Sequence, residues 1–335
     1  MVQWGIQIYS YQHLILRVKD QQTLDDFDKV RSKALYEIWN RLACGSYFPL
    51  EVKRVEIRKQ DGETRPLGIP TVSDRIAQQV IKTYLEPRIE TEFSENSYGY
   101  RPNKSALSTV KKVQETVRKY SWVIDLEIKE FFENVNHELL FLALKLHVSE
   151  KWILLYIRRW LEAPVQLPDG TLLSTSGKGT PQGGVISPLL ANLFMHYCFD
   201  KWLKIHYPLI KMVRYVDDII IIHCRTYQES ARLLAEVKQR LTDCGLTAHP
   251  EKTKIVYCKK SGRNLKGKPV QFDFLGFSFR PIRMKLKRGG SFLQFDCIMS
   301  RKSKVRITQE LRKLNFHNKT QRTIQDLATL LNPKI

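Results

Sequence analysis

The sequence predicts an α+β fold, and three observations predict it. Residues alternate between apolar and polar over 52–59 (VKRVEIRK) and 122–129 (WVIDLEIK), the period of a strand. Two strand segments run through a tight turn straight into another strand, at Gln60-Asp61-Gly62 and at Asp217-Asp218, which implies antiparallel pairing. The stretches between them carry apolar residues at helical spacing.

Taken in order, Leu24 to Cys44 reads as helical, with Leu35, Ile38, Trp39 and Leu42 on one stripe and Gly45 as its stop. Val52 onward reads as a β-hairpin with Asp61-Gly62 at the bend, and Lys59 and Arg65 flank its tip. Ser73 to Leu85 is a helix, SYGYRPNKSA from Ser97 a polar loop, and Ala106 to about Tyr120 a helix. The strand Trp122 to Lys129 places Trp122, Ile124, Leu126 and Ile128 on one face and Val123, Asp125, Glu127 and Lys129 on the other. His137 to Leu161 is helical, residues 168–170 (PDG) form a turn, and the helix carrying Ile186, Leu189, Leu190, Leu193, Phe194 and Tyr197 starts at the glycine-rich PQGG of 181–184. Lys211 to Ile222 reads as strand, turn, strand, with Asp217 and Asp218 at the bend of an otherwise apolar hairpin. A helix over Gln228 to Cys244, strands over Thr253 to Cys258 and Gln271 to Arg280, and helices over Lys302 to Phe316 and Thr320 to Leu331 complete the chain. Thr320 caps the last helix and Asn332-Pro333 stops it.

With 335 residues, 43% hydrophobic and 27% charged, the chain can build a sizeable core and is neither a disordered tract nor a disulfide scaffold. Its six cysteines show no CxxC pair, which points to reduced thiols. No apolar run approaches the roughly 20 residues of a membrane span, and the start shows no basic leader, so a soluble cytoplasmic protein is expected. The formal charge of +21 favours polyanionic partners. It is uneven: Glu251 to Ile335 holds 21 basic and five acidic residues, net +16, against +5 for all that precedes. A one-signed excess confined to one region is the footprint of a nucleic-acid-binding surface.

Aspartates in a turn are usually turn chemistry. Their company here, a strand with Asp125 and Glu127 on its open face within a basic chain, suggests carboxylates converging on divalent metal. YVDD at 215–218, PQGGVISP at 181–188, RPLGIPTVSDRIAQ at 65–78, SYGYRP at 97–102, FFENVNH at 131–137, HPEKTKI at 249–255 and FDFLGF at 272–277 together resemble, in order, the motifs of bacterial group II intron reverse transcriptases. The resemblance covers about residues 35 to 335. It implies a right-hand polymerase, with an antiparallel palm sheet packed on helices, fingers, and a helical thumb that doubles as the maturase region. The expected division is 1–120 for the N-terminal segment and fingers, 121–280 for the palm with inserted fingers elements, and 281–335 for a partial thumb.

Carried over residue by residue, the resemblance makes Asp217 and Asp218 the paired catalytic aspartates, sharing two Mg²⁺ ions, or Mn²⁺ in their place, with Glu127. Lys59 and Arg65 would hold the incoming deoxynucleoside triphosphate. Phe132 resembles the aromatic gate against a ribose 2′-hydroxyl, with core packing beside Phe131 as its alternative role. Gln182 and Gly183 would lie against nucleotide and template, Lys252 near the leaving pyrophosphate, and Leu275-Gly276 at the primer grip. The expected activity is RNA-directed DNA synthesis on a DNA primer, with the intron RNA as partner; the alternative is a catalytically impaired RNA-binding maturase-like protein. Two departures bear on this. The family's strand motif reads aspartate, aliphatic, aspartate, followed by an aspartate after the Phe-Phe pair, whereas this chain has Asp125-Leu126-Glu127 and Glu133. Glu127 is one methylene longer than the usual ligand, and Asp125 is its possible substitute. The family also continues beyond Asn332-Pro333 into an RGW-type segment, so a shortened thumb is expected.

Overall fold

The computed structural model describes residues 22–58, 64–261, 267–286, 289–315 and 323–331. Lys59, the Asp61-Gly62 bend, Thr320 and Asn332-Pro333 lie outside the described residues.

Two helices open the described chain. In α1 (Leu24–Lys29) Thr23 and Asp26 form a reciprocal capping box, and α2 (Arg31–Ala43) ends before Gly45, whose φ of +78° suits glycine. Strands β1 (Val52–Arg58) and β2 (Thr64–Ile69) pair antiparallel, with Ile57 opposite Arg65. Next come α3 (Val72–Glu90), capped by Thr71, and α4 (Ala106–Val117), capped by Ser105. Strand β3 (Trp122–Lys129) has the boundaries that its alternation predicts.

The single helix expected from His137 to Leu161 is divided in the structure. After the short α5 (Phe131–Asn134), α6 (His137–Lys145) and α7 (Lys151–Glu162) are separate helices, because the chain turns at 146–150 to pack both onto the core. Strands β4 (Val165–Gln166) and β5 (Leu172–Leu173) flank the expected turn, and β4 runs parallel to β1. Helix α8 (Ser187–Met195) passes through a π-helical turn (His196–Asp200) into α9 (Lys201–His206). Strands β6 (Lys211–Tyr215) and β7 (Asp218–Cys224) form the expected hairpin, followed by α10 (Tyr227–Asp243), β8 (Thr247–Ala248) and β9 (Lys254–Tyr257).

The strand expected over Gln271 to Arg280 is a hairpin, β10 (Phe272–Phe274) and β11 (Phe277–Lys285), joined by Leu275 and Gly276, both at positive φ. Its partner β12 (Ser291–Met299) was not expected, although SFLQFDCIM alternates well enough to have shown it. Strand β11 crosses the expected division at 280/281, and the helical region begins with α11 (Arg301–Lys313) and α12 (Ile324–Leu331). Among the described residues no helix is long and apolar enough to cross a membrane.

The five-stranded sheet has the order β6-β7-β3-β8, with β9 also pairing β3. Both of its faces are covered. Ile124, Leu126 and Ile128 of β3 with Ile219 and Ile221 of β7 join the larger core, which includes α3, α6, α7 and α8. Val123, Val213, Ile220 and Ile222 on the other face join a smaller core with Val110, Val113 and Val117 of α4 and Phe272, Phe279 and Phe295 of the β10–β12 sheet. Burial on both faces explains the four consecutive isoleucines, 219–222, which simple alternation would not give.

Candidate active site

The smaller core stops short of one end of the sheet, and the carboxylates stand there. Tyr215 pairs with Asp218, leaving Val216 and Asp217 as the two-residue turn, with Val216 at φ +61°. Across β7 and β3, Asp218 stands opposite Glu127, and Asp125 opposite Ile220. Register therefore puts Asp125, Glu127 and Asp218 on one face, beside the turn that carries Asp217.

Burial pushes the Asp218 carboxyl well above the usual carboxylate range, and the charges of Asp217, Glu127 and Asp125 push it further. Burial likewise raises Asp125 to about 7, against the pull of Lys254, whose Nζ is 3.7 Å from it. Glu127 is engaged by Lys252, whose Nζ lies 2.5 Å from its Oε1. The loop carrying Lys252 is tied to the same residue, since His249 N–H donates to the Glu127 carbonyl at 2.7 Å.

Crowded carboxylates that repel one another, with only oxygen donors, suit a hard divalent cation. Among the described residues, however, no three His, Cys, Asp or Glu side chains are already gathered to hold a metal ion. The donor chemistry fits; Glu127 faces Lys252.

The remaining expected site residues divide. Gln182 Nε2 donates to Glu133 Oε1, and Gly68 N–H donates to the Gln182 carbonyl at 2.8 Å, so the PQGG turn lies on β2. Gly183, at φ +129°, has no room for a side chain: a Cβ there would stand 2.3 Å from the Gly68 carbonyl oxygen. Phe132 is 7% exposed and packs in the larger core beside Phe131, with ring centroids 5.3 Å apart. The turn at Leu275-Gly276 sits on the start of α11, where Ser300 N–H and Ser303 Oγ both donate to the Gly276 carbonyl. Arg65 is placed on β2 by its backbone, while its side chain and all of Lys59 lie outside the described residues.

A support beneath the hairpin escaped sequence reasoning. Arg214, fully buried, makes a two-pronged ion pair with Asp200 at 2.8 and 2.7 Å and donates to Asn192 Oδ1 and the Val216 carbonyl. Asn192 in turn donates to the Gly99 carbonyl at 2.7 Å, and Gly99 packs so tightly on Val216 that a Cβ would come within 2.3 Å of Val216 Cγ2. Tyr98 N–H and the Arg214 carbonyl pair at 2.8 Å, so the SYGY segment runs alongside β6. Polar residues inside apolar stripes, Arg214 in KMVRY and Asn192 and Asp200 in NLFMHYCFD, were the available signal. Gln78 is a second omission: its buried Oε1 accepts from Val185 N–H at 2.8 Å, just ahead of α8.

A carboxylate-tipped hairpin beside an acidic strand, on a sheet backed by helices, is the palm of a right-hand nucleic-acid polymerase. The fold is shared with telomerase from Candida albicans solved with a fragment of telomeric RNA, at TM-score 0.55 and 12% identity, over 76% of this chain and 48% of that one. Apo telomerase from Candida tropicalis matches at TM-score 0.53 and 14% identity, over 79% and 60%. Residues 57–279 match the family described as reverse transcriptase (RNA-dependent DNA polymerase), and the chain belongs to that family. Its relatives include group II intron-encoded proteins. It is 31% identical over 175 residues to the group II intron-encoded protein LtrA of Lactococcus lactis subsp. cremoris, covering 52% of this chain and 28% of the relative. It is 35% identical over 173 residues to protein YkfC of Escherichia coli K12, covering 50% and 45%. The chain thus spans less than half the length of these curated relatives.

Proposed function

We propose that this protein extends a DNA primer on an RNA template, as a reverse transcriptase of group II intron type, with Asp217, Asp218 and Glu127 as its catalytic carboxylates. The observation that carries this reading is the register of Glu127 against Asp218 beside the turn of Asp217. Two Mg²⁺ ions held by these three residues, with Mn²⁺ as substitute and Asp125 as reserve ligand, would supply the electrostatic stabilisation of the attacking and leaving oxygens of phosphoryl transfer.

The chain's other residues bind and orient. The Gln182-Gly183 turn, which its glycine lets press on Gly68, would lie against a deoxynucleotide and its template base. Phe132, packed in the core beside Phe131, would crowd a ribose 2′-hydroxyl and so discriminate against it. Lys59 and Arg65 would neutralise the triphosphate, Lys252 would approach the leaving pyrophosphate, and Leu275-Gly276 would meet the primer. The net +16 of residues 251–335 would bind template and intron RNA through phosphates.

The Lys252–Glu127 ion pair favours a second reading, an RNA-binding maturase-like protein that does not polymerise. Extension of oligo(dT) on poly(rA), first with Mg²⁺ and then with Mn²⁺, separates the two. Synthesis lost on Asp217→Ala supports the polymerase; RNA binding without synthesis under either metal overturns it in favour of the maturase-like protein.

A further inference from the structure

The carboxylate cluster already contains a cation. Lys252 is held over β3 from two sides: its ammonium lies 2.5 Å from Glu127 Oε1, and the turn that carries it is fastened to the backbone of the same residue by His249 N–H and, at 3.5 Å, by Thr253 Oγ1. Two residues along, Lys254 stands opposite Asp125 in the β3–β9 ladder. Lysines two apart thus face carboxylates two apart. The pairs differ in kind. Lys254 meets Asp125 at 3.7 Å, beyond hydrogen-bond range, while Lys252 makes a charge-assisted hydrogen bond to the carboxylate nearest Asp218. Lys252 also bears on Asp218 itself, drawing down a carboxyl that every neighbouring acid pushes up.

We propose that Lys252 is a resident counter-cation for Glu127, so that a divalent ion and this ammonium compete for one carboxylate. The inference rests on the reading of Asp217, Asp218 and Glu127 as metal ligands. An ammonium on Glu127 satisfies the acid that stands opposite Asp218 and keeps three negative charges from meeting unscreened. It does so at the expense of metal affinity, because a divalent ion must displace Lys252 before Glu127 can turn to it. Both partners are partly exposed, with 49% and 31% of their side-chain surfaces accessible, so the pair can open without disturbing the core. Opening it costs what a partly exposed ion pair costs, a factor of about two to five in binding. Lys252 thereby sets the divalent concentration at which the site fills.

The test is Mn²⁺ binding to the nucleotide-free protein, read from the electron paramagnetic resonance signal of the unbound ion. Lys252→Met should tighten binding about two- to fivefold. Removing any positive charge near acids strengthens cation binding through the general field, so the same substitution is also made on Glu127→Gln. There its effect should fall to that general-field part, because the carboxylate for which the ammonium competes is gone. An equal gain on both backgrounds, or no gain on either, overturns the competition. Asp217→Asn identifies the other failure: Mn²⁺ binding indifferent to it would show that the hairpin is not a metal site, and the proposal would fall with that reading. Thermal unfolding of each variant verifies that the fold is retained.

Discussion

Glu127 is the residue on which the proposed activity turns. Its side chain reaches Lys252, and it stands opposite Asp218 across the sheet. Shortening it by one methylene withdraws the carboxylate from the ammonium, and misplacements of about 1 Å are worth about a hundredfold in rate. Glu127→Asp should therefore raise primer extension about tenfold or more, while Asp217→Ala abolishes it. An unchanged rate for Glu127→Asp together with loss on Asp125→Ala would move the ligand to Asp125. Asp125 offers a separate test, in stability. Its carboxyl sits at about 7 when folded and near the ordinary 3.8 when unfolded, with burial as the main cause. Between those values the folded form holds the proton more often, so the stability it lends is complete below about pH 4 and is lost as pH rises through 7. Asp125→Asn removes this titration at nearly constant shape. In metal-free buffer the variant should gain on the wild type by about 2–4 kcal/mol between pH 4 and pH 8. A gap that does not change with pH would refute it.

At the scale of elements, the β6–β7 hairpin owes its position to buried polar contacts more than to its turn. Val216 has a left-handed backbone that a β-branched residue adopts only under constraint, and the Arg214 guanidinium bonded to its carbonyl is that constraint. The π-helical turn ends at Asp200, the carboxylate that holds Arg214. Asp200→Asn leaves a buried guanidinium without its counter-charge and should cost about 3–5 kcal/mol by chemical denaturation. A loss below about 1 kcal/mol would mean that water or Asn192 satisfies Arg214 instead. Periodicity made the hairpin and the acidic face of the Asp125–Glu127 strand legible, because strand alternation is a local property, whereas their pairing is not local. The network beneath was not legible: it joins residues 99, 192, 200 and 214, which meet only once the chain has folded.

Over the whole molecule, the positive charge and the proposed catalytic carboxylates are separate in sequence. The carboxylates lie between residues 125 and 218, and most of the surplus positive charge follows Pro250. Helix α11 buries no residue, and Lys302, Lys304, Arg306 and Arg312 are carried on it. Changing these four to glutamine should weaken RNA and DNA binding alike and lower the slope of log affinity against log salt by up to about 3.6, at about 0.7–0.9 for each phosphate no longer neutralised. An unchanged slope would make the charge a solvated face. The class of fold and most elements could be read from the sequence. The missed β12 and the broken helix after His137 show where reading fails: strand extension and helix division depend on what the element packs against.

The fit of Gly99 against Val216 bears on redesign. A glycine that has already surrendered its side chain has nothing further to yield, so the floor under the Val216-Asp217 turn is backbone, with no rotamer to swing aside. Residue 216 is thereby gauged from below: a larger side chain there displaces the turn, and with it both aspartates, whereas a smaller one leaves a gap that no neighbour can reach across. Redesign of this turn therefore keeps glycine at 99, since a Cβ there would meet the Val216 backbone nitrogen at 2.8 Å whatever side chain stands at 216.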